Sequence, residues 1–229
     1  MNKQNSFGPR TAVTALATSM VLMLPFAPAE AQSSGNNKWE GFYVGLNAGG
    51  LWGNTSAAVT ENNTGGGFMG NSGGFEGGAQ GGYNWLLGPV LLGGEVDFQG
   101  STNNGGLGGG AGPSMIAATT TLPWFSTFRA RAGYPVGSVM PYVTAGAVWG
   151  EQTIAGYDTA VGAFNASNDF WTYTVGAGVE GHVSDQWTAK LEYLWIGTPD
   201  TPLATPATTS INERSIGDVI RVGLNYHFN

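Results

Sequence analysis

Apolar and polar residues alternate along eight separate segments of the chain. A period of two is typical of a β-strand with one apolar and one polar surface, and it differs from the period of 3.6 expected for a helix. The segment that precedes the C-terminal residue shows this alternation clearly. Its two predicted faces are Val222, Leu224, Tyr226 and Phe228 on one side, and Arg221, Asn225 and His227 on the other.

The eight predicted strands are separated by connections that are alternately long and short. They cover about 40–52, 75–85, 90–99, 122–134, 141–149, 170–183, 187–195 and 221–228. The short connections are 86–89, 135–139 and 184–186, and the long ones lie near 53–74, 100–118, 150–169 and 197–215. An even number of strands with this spacing is typical of bacterial outer-membrane barrels. We therefore predict an all-β fold, an eight-stranded antiparallel up-and-down transmembrane β-barrel with short periplasmic turns and long extracellular loops.

The fifth predicted strand is the one whose register the pattern specifies least, because both of its faces are weakly polarised. Val143, Ala145, Ala147 and Trp149 form the face that we expect to meet lipid. The Gly-rich stretch from Gly105 to Gly112 follows no strand-to-helix phosphate-binding pattern and is interpreted as a flexible loop.

The N-terminus resembles a secretory signal peptide. Lys3 and Arg10 precede an apolar stretch, and small residues at Ala29 and Ala31 have the spacing that a signal peptidase accepts. We predict that residues 1–31 are cleaved before Gln32 and that residues 32–229 form the barrel. Nothing later approaches the roughly 20 apolar residues of a transmembrane helix, which excludes a helical membrane protein.

Composition agrees with a surface that meets lipid. The chain has 39 glycines, 12% aromatic residues and only 10% charged residues, whereas soluble domains have about 25% charged residues. The absence of cysteine does not oppose export, because a closed barrel satisfies its backbone hydrogen bonds between strands and needs no disulfides.

Tryptophan and charge provide two further checks on the predicted faces. The predicted outward aromatic girdles comprise Trp52, Trp124, Trp149, Trp171 and Trp195 near the long connections, and Trp85, Trp187, Tyr226 and Phe228 near the short turns. The predicted inward charges, four negative and four positive, are Glu95, Asp97, Glu180, Glu192, Arg129, Arg131, Lys190 and Arg221. Unpaired charges in a narrow lumen would be costly, so we expect an ionic network there. A soluble β-sandwich would scatter these charges. The same alternation places Glu76 of the second strand and Leu194 of the seventh strand on the inward face.

Four stretches of sequence carry a family resemblance. They are residues 39–45 (WEGFYVG), 129–134 (RARAGY) followed by 141–146 (PYVTAG), 189–194 (AKLEYL) and 221–226 (RVGLNY). These stretches resemble the OmpA/opacity-like superfamily of small outer-membrane β-barrels, and within it the porin-like surface antigens of alphaproteobacteria. The resemblance implies a location in the Gram-negative outer membrane, insertion by the barrel assembly machinery, and structural or surface-exposed roles.

The resemblance also implies a barrel-assembly signal in the last strand, formed by Arg221, Gly223, Tyr226 and Phe228. The family usually ends on the aromatic residue, whereas Asn229 follows Phe228 in this chain. This departure bears on the efficiency of assembly and not on the fold.

An eight-stranded barrel is just wide enough for side chains to fill its interior. We therefore expect a membrane-anchored, envelope-stabilising protein whose lumen is filled by the ionic network. A narrow porin-like channel for small solutes is the alternative, because seven inward glycines add no bulk, namely Gly45, Gly49, Gly78, Gly82, Gly93, Gly176 and Gly178. The simplest interpretation of these glycines is packing room for arginine and tyrosine side chains.

An outer-membrane enzyme is a weaker alternative, and we expect no catalytic, cofactor-binding or metal-binding residues. The two histidines, His182 and His227, point inward near the periplasmic ends, and no Ser-His-acid group can be assembled around them. No cysteine and no histidine pair at ligand spacing points to zinc. Glu180 and Glu192 fit salt-bridge partners better than a general acid and base.

The long connections are acidic, with Glu61, Glu151, Asp158, Asp169, Asp200 and Glu213 against a single Arg214. Nucleic acid is excluded as a partner, because its binding requires a basic patch. Outer-membrane lipid and lipopolysaccharide are the expected partners, and a monomer is favoured. The acids either attract divalent cations bound to lipopolysaccharide or simply keep the loops solvated. Adhesion and haem capture by the loops stay open, although the absence of loop histidines weakens haem.

Overall fold

The computed structural model describes residues 36–61, 64–111, 114–159, 162–197, 201–202 and 209–228. The predicted signal peptide lies outside these residues. In the part of the chain that the structure describes, no helix is both long enough and apolar enough to span a membrane. A short 3-10 helix, Asn36–Trp39, precedes the first strand.

Eight long strands follow, and each is antiparallel to the next. They are β1 (Gly41–Glu61), β2 (Thr64–Leu87), β3 (Val90–Ala111), β4 (Ser114–Gly133), β5 (Val139–Asp158), β6 (Gly162–His182), β7 (Trp187–Gly197) and β8 (Thr209–His227). The last strand pairs with the first from Tyr43↔His227 to Glu61↔Thr209, which closes the ring. A two-residue segment, Thr201–Pro202, pairs with Asn212 and Glu213 near the extracellular end of β8. The prediction of an eight-stranded antiparallel barrel is confirmed.

The side chains of each strand alternate between an exposed outer surface and a buried interior. The weakly polarised strand β5 illustrates this, because Val143 is 60% exposed whereas its neighbour Tyr142 is 4% exposed. Ala145 is also exposed and Thr144 is buried. The outward face of β5 is therefore the predicted one, and the lipid-facing surface is apolar around the ring.

The predicted long connections are wrong in extent, because most of their residues belong to strands. The ladder between β1 and β2 continues to Glu61↔Thr64, and β3 runs to Ala111 through the stretch predicted as a flexible loop. Outside the hydrocarbon region both surfaces of a strand meet water, so the ladder persists while the apolar alternation disappears. Sequence alternation therefore detects only the membrane-embedded part of each strand.

Seven of the eight strands are much longer than the membrane requires, whereas β7, with 11 residues, is about the length of the membrane-spanning part alone. The 21 residues of β1 extend about 70 Å at the usual rise per residue. With the usual strand tilt they span about 50 Å along the barrel axis, roughly twice the apolar band of about 25 Å. About half of the barrel wall therefore stands beyond the membrane on the side of the long hairpins.

The opposite end of the barrel has tight turns at two of the predicted short connections. Gly88 and Gly137 both have a φ of 63°, a left-handed conformation that glycine adopts without steric cost. The turns at 86–89 and 135–139 are therefore compact, as predicted, and they define the periplasmic end.

Candidate functional site

The interior of the barrel contains a buried ionic network, and all eight predicted charged residues are part of it. Glu95 lies at its centre. Lys190 Nζ donates to both Glu95 carboxylate oxygens at 2.9 Å, and Arg131 Nη1 is 3.5 Å from Oε2. Arg129 Nη2 makes a short ion pair with the same carboxylate, and the Tyr43 hydroxyl donates to Oε2 at 2.7 Å. Arg221 Nη2 is 3.9 Å from Oε1, so four cations surround this one carboxylate.

Arg221 connects this centre to the remaining acids. Its Nε donates to Glu192 Oε2 at 2.7 Å, and its Nη2 donates to Asp97 Oδ2 at 3.0 Å. Arg129 reaches the same two carboxylates at 2.9 Å and 3.0 Å. The network thereby links β3, β4, β7 and β8 across the lumen, and sequence reasoning supplied its members but not these pairings.

Arg131 extends the network to β6. Its Nη2 donates to Glu180 Oε2 at 2.7 Å, and its guanidinium lies 4.9 Å from the centre of the Tyr142 ring. Tyr142 in turn donates its hydroxyl proton to Glu192 Oε1 at 2.9 Å. Tyr43 and Tyr142 therefore both lie beside Arg131, and their hydroxyl groups donate hydrogen bonds to Glu95 and Glu192, respectively.

Inward glycines make room for these large side chains. A Cβ on Gly49 would lie 2.6 Å from Cβ of Arg221, and a Cβ on Gly178 would lie 2.6 Å from Cζ of Tyr142. Real Cβ atoms do not approach other carbons so closely, so a side chain at either position would displace its neighbour. The structure therefore supports the interpretation of these glycines as packing room and not as pore lining.

The predicted balance of four acids and four bases is wrong, because a fifth carboxylate is buried in the lumen. Glu76 on β2 is 4% exposed. Its inward position followed from the alternation, but the charge balance left it out. The described part of the lumen therefore has one more acid than it has arginines and lysines.

An apolar layer fills the lumen on the extracellular side of the network. Its buried members are Leu51, Phe125, Val148, Leu194 and Val219, packed by Leu122, Phe170 and Ile196. Sequence reasoning assigned only Leu194 to the interior. The signal that would have identified the others is that each occupies an inward position near the middle of its strand, on β1, β4, β5 and β8.

A plug closes the periplasmic side, and sequence reasoning missed it. Trp39 is fully buried and packs with Leu91, Met140 and Tyr142. Asn84 Nδ2 donates to the Trp39 carbonyl at 3.0 Å, and Trp39 Nε1 donates to the Gly137 carbonyl at 3.4 Å. The segment before β1 thus turns into the mouth of the barrel instead of leaving it.

Two histidines lie beside this plug. The ring of His182 is 4.2 Å from that of Trp39, centre to centre. His227 Nε2 is 3.2 Å from Thr188 Oγ1 and 3.6 Å from Glu180 Oε1. A hydrolytic triad needs opposite ring nitrogens to face the hydroxyl and the acid, whereas one nitrogen faces both groups in this cluster. Among the described residues, no group of three or more His, Cys, Asp or Glu side chains is placed to hold a metal ion.

The outer surface has an aromatic cluster near each end of its apolar band. Toward the extracellular side the contacting rings are Phe98, Trp124, Trp149, Trp171, Phe128, Tyr173 and Trp195. Near the periplasmic turns they are Phe42, Tyr83 and Trp85 in one group, and Trp187, Tyr226 and Phe228 in another. Trp52 is also exposed. Of the residues assigned to the assembly signal, Tyr226 and Phe228 belong to these clusters, Arg221 to the lumen, and Gly223 packs on Lys190.

Comparison with known proteins identifies the family. The family model described as an outer membrane protein beta-barrel domain matches residues 18–228. The 31 kDa outer-membrane immunogenic protein of Brucella melitensis is 35% identical over 95% of both chains. The 22 kDa outer membrane protein of Rhizobium leguminosarum is 32% identical over 72% of this chain and 67% of its own.

Among solved structures, the outer membrane protease OmpT of Escherichia coli has a TM-score of 0.47 and 14% identity, with 82% of this chain and 97% of that chain covered. The closed ring, its apolar outer surface and the family match agree. The chain belongs to the outer-membrane β-barrel family, in the same small alphaproteobacterial group as the Brucella and Rhizobium outer-membrane proteins.

Proposed function

We propose that this protein is a sealed barrel that anchors a surface structure in the outer membrane and stabilises the envelope, and that it is not a solute channel. The observation that carries the proposal is the stack of three layers in the lumen. Trp39 and its neighbours fill the periplasmic mouth, the ionic network fills the centre, and the apolar layer around Phe125 lies across the lumen on the extracellular side of the network.

Each layer opposes permeation for a different physical reason. The apolar layer offers a hydrated ion no polar partner, so entry would require dehydration without compensation. The plug opposes entry by occupying the periplasmic mouth with the Trp39 ring and its neighbours. The central charges are bound to one another at 2.7–3.0 Å, so they are not free to coordinate a passing solute. Loss of one layer would therefore leave two other barriers to permeation.

Conductance of the refolded protein in planar bilayers tests this proposal. We expect no steady conductance steps from the wild type, and none from Trp39→Ala, because the other two layers remain. Trp187→Ala, which truncates an outward tryptophan, is the matched control. Heat-modifiable gel mobility verifies that each variant is folded. Large, steady steps from the folded wild-type barrel would refute the seal.

We further propose that the lumen has no catalytic role. The support is the geometry of His227, whose Nε2 approaches both Thr188 and Glu180 and which therefore does not form a charge-relay arrangement. The expected partners are outer-membrane lipid and lipopolysaccharide around the aromatic clusters, and the barrel assembly machinery during insertion. A closed ring leaves no free strand edge, which favours a monomer.

Export through a cleaved signal peptide completes this proposal. We expect the mature chain to begin at Gln32, seven residues before the Trp39 plug, because Ala29 and Ala31 have the spacing that a signal peptidase accepts. The mass of the protein purified from outer membranes measures this directly. A mass that includes residues 1–31 would contradict the proposed processing.

A further inference from the structure

Glu76 is the buried acid for which the ionic network provides no partner. Both of its carboxylate oxygens are buried, and neither has a hydrogen-bond donor among the described residues. Its neighbours across the ladder are Gly49 on β1 and Ser101 on β3, and neither offers a positive charge. An ionised carboxylate buried without a partner is costly, and such groups become neutral instead.

The charged groups around Glu76 do not remove this cost. Arg221 and Arg129 attract a negative charge at Glu76, whereas Asp97 and Glu192 repel it. Both arginines already bind these same two acids, at 2.7–3.0 Å. The four groups thus form a nearly neutral unit, and no described cation lies within ion-pair distance of Glu76.

The polar neighbours of Glu76 require a hydrogen-bond donor. Asn47 and Gln99 are the ladder partners of Gly78, the next inward position on β2 after Glu76. Asn47 Nδ2 donates to Gln80 Oε1 at 2.9 Å and Gln99 Nε2 donates to Asp97 Oδ1 at 3.2 Å, which fixes the orientation of both amides. Their oxygens, Asn47 Oδ1 and Gln99 Oε1, are buried without a donor.

A carboxylate can only accept hydrogen bonds, whereas a carboxylic acid can also donate one. We propose that Glu76 is a proton-binding site of the folded barrel, which keeps its proton to a higher pH than an exposed glutamic acid does and donates it toward the acceptor oxygens of Asn47 and Gln99. With Glu76 neutral, the described lumen has four carboxylates against four arginine and lysine cations. The apolar layer begins at Leu51, the next inward position of β1 after Gly49, and it then adjoins a neutral Glu76 instead of a charged one.

This site couples folding to proton uptake. An exposed glutamic acid in the unfolded chain has a pKa of about 4.3 and loses its proton in mildly acidic solution. Between that pH and the pH at which Glu76 ionises, the folded barrel therefore binds up to one proton more than the unfolded chain. Its stability falls as the pH rises toward the point where Glu76 ionises, and the unfolding equilibrium constant changes by up to about tenfold per pH unit.

Infrared spectroscopy of the refolded protein near pH 6, where exposed glutamic acids are already ionised, tests the protonation directly. We expect a carbonyl-stretch band of a protonated carboxyl group in the wild type, and carbon-13 labelling of glutamate should shift it. Glu76→Gln should abolish the band, whereas Glu151→Gln, which removes an outward carboxylate, should leave it unchanged. If Glu76→Gln does not fold, the labelled wild-type spectrum alone decides whether a protonated glutamate exists.

Denaturant unfolding between pH 5 and pH 8 provides an independent measurement. We expect the wild type to lose stability with rising pH relative to Glu76→Gln, whose amide cannot ionise. A wild-type spectrum without the band would overturn the proposal. So would parallel pH profiles of the two proteins, because both results mean that Glu76 is ionised and finds a counter-charge such as the unpartnered Nη1 of Arg221.

Discussion

Replacing Lys190 with methionine isolates the contribution of one buried charge. The unbranched stem is nearly preserved, but the ammonium group that donates to both oxygens of Glu95 at 2.9 Å is lost. The Lys190 side chain is fully buried and that of Glu95 is 3% exposed, so water cannot replace the lost partner. Breaking a buried pair on one side costs about 3–5 kcal/mol.

The remaining contacts of Glu95 set where in this range the cost falls. Arg129 and Arg131 still approach the carboxylate after the substitution. We therefore expect the lower end, about 3 kcal/mol, which corresponds to roughly a hundredfold change in the unfolding equilibrium constant. Urea or guanidinium unfolding of the barrel in detergent micelles measures this change.

Lys38→Met is the matched control, because it removes the same group from an exposed pair. Lys38 Nζ lies 2.7 Å from Asp185 Oδ1, closer than Lys190 lies to Glu95, but its side chain is 54% exposed. Exposed pairs contribute about 0–1 kcal/mol. Equal losses in the two variants, or a larger loss in Lys38→Met, would show that burial does not set the strength of the network and would refute the reasoning.

Two further predictions concern an inward glycine and the periplasmic turn that contains Asp185. Gly178→Ala should destabilise the barrel by about 1–3 kcal/mol through overpacking against the Tyr142 ring. Gly94→Ala, where a Cβ meets nothing within 4 Å, should have little effect. Equal denaturant midpoints of the two variants would contradict the packing role of Gly178. The hydrogen bond from Lys38 lowers the pKa of Asp185 below its usual value. The contact therefore stabilises the folded protein above the pKa that Asp185 has in the unfolded chain, and this stabilisation is lost as the pH falls through the lower pKa of the folded state. Lys38→Met should raise the Asp185 pKa, as measured by NMR titration, and an unchanged titration would exclude the contact.

Alternation alone was sufficient to predict the embedded half of the fold. Thr172 is buried and its neighbour Trp171 is exposed, and this difference follows directly from a period of two when one face meets lipid. The extracellular half of the strands was not predictable by the same rule, because glycine, asparagine and threonine are frequent there and apolar residues do not recur at every second position. Their pairing depends on backbone hydrogen bonds, which leave no mark on the pattern.

Two site residues escaped prediction for different physical reasons. Trp39 lies outside every alternating segment, so nothing in the local sequence indicates that it turns back into the barrel mouth. Glu76 was assigned to the correct face, but its isolation depends on register, which places Gly49 and Ser101 beside it. Local sequence identifies the face of a residue, whereas the pairing of distant strands identifies its partners.

The projecting barrel wall determines how other molecules can recognise this protein. On its outer surface Thr119 of β4 lies between Gly106 of β3 and Ala155 of β5, three positions that are far apart in sequence. An antibody or phage that binds there contacts a discontinuous epitope assembled by the ladder. Heating that unfolds the barrel should abolish such binding, whereas synthetic peptides from one hairpin should not reproduce it.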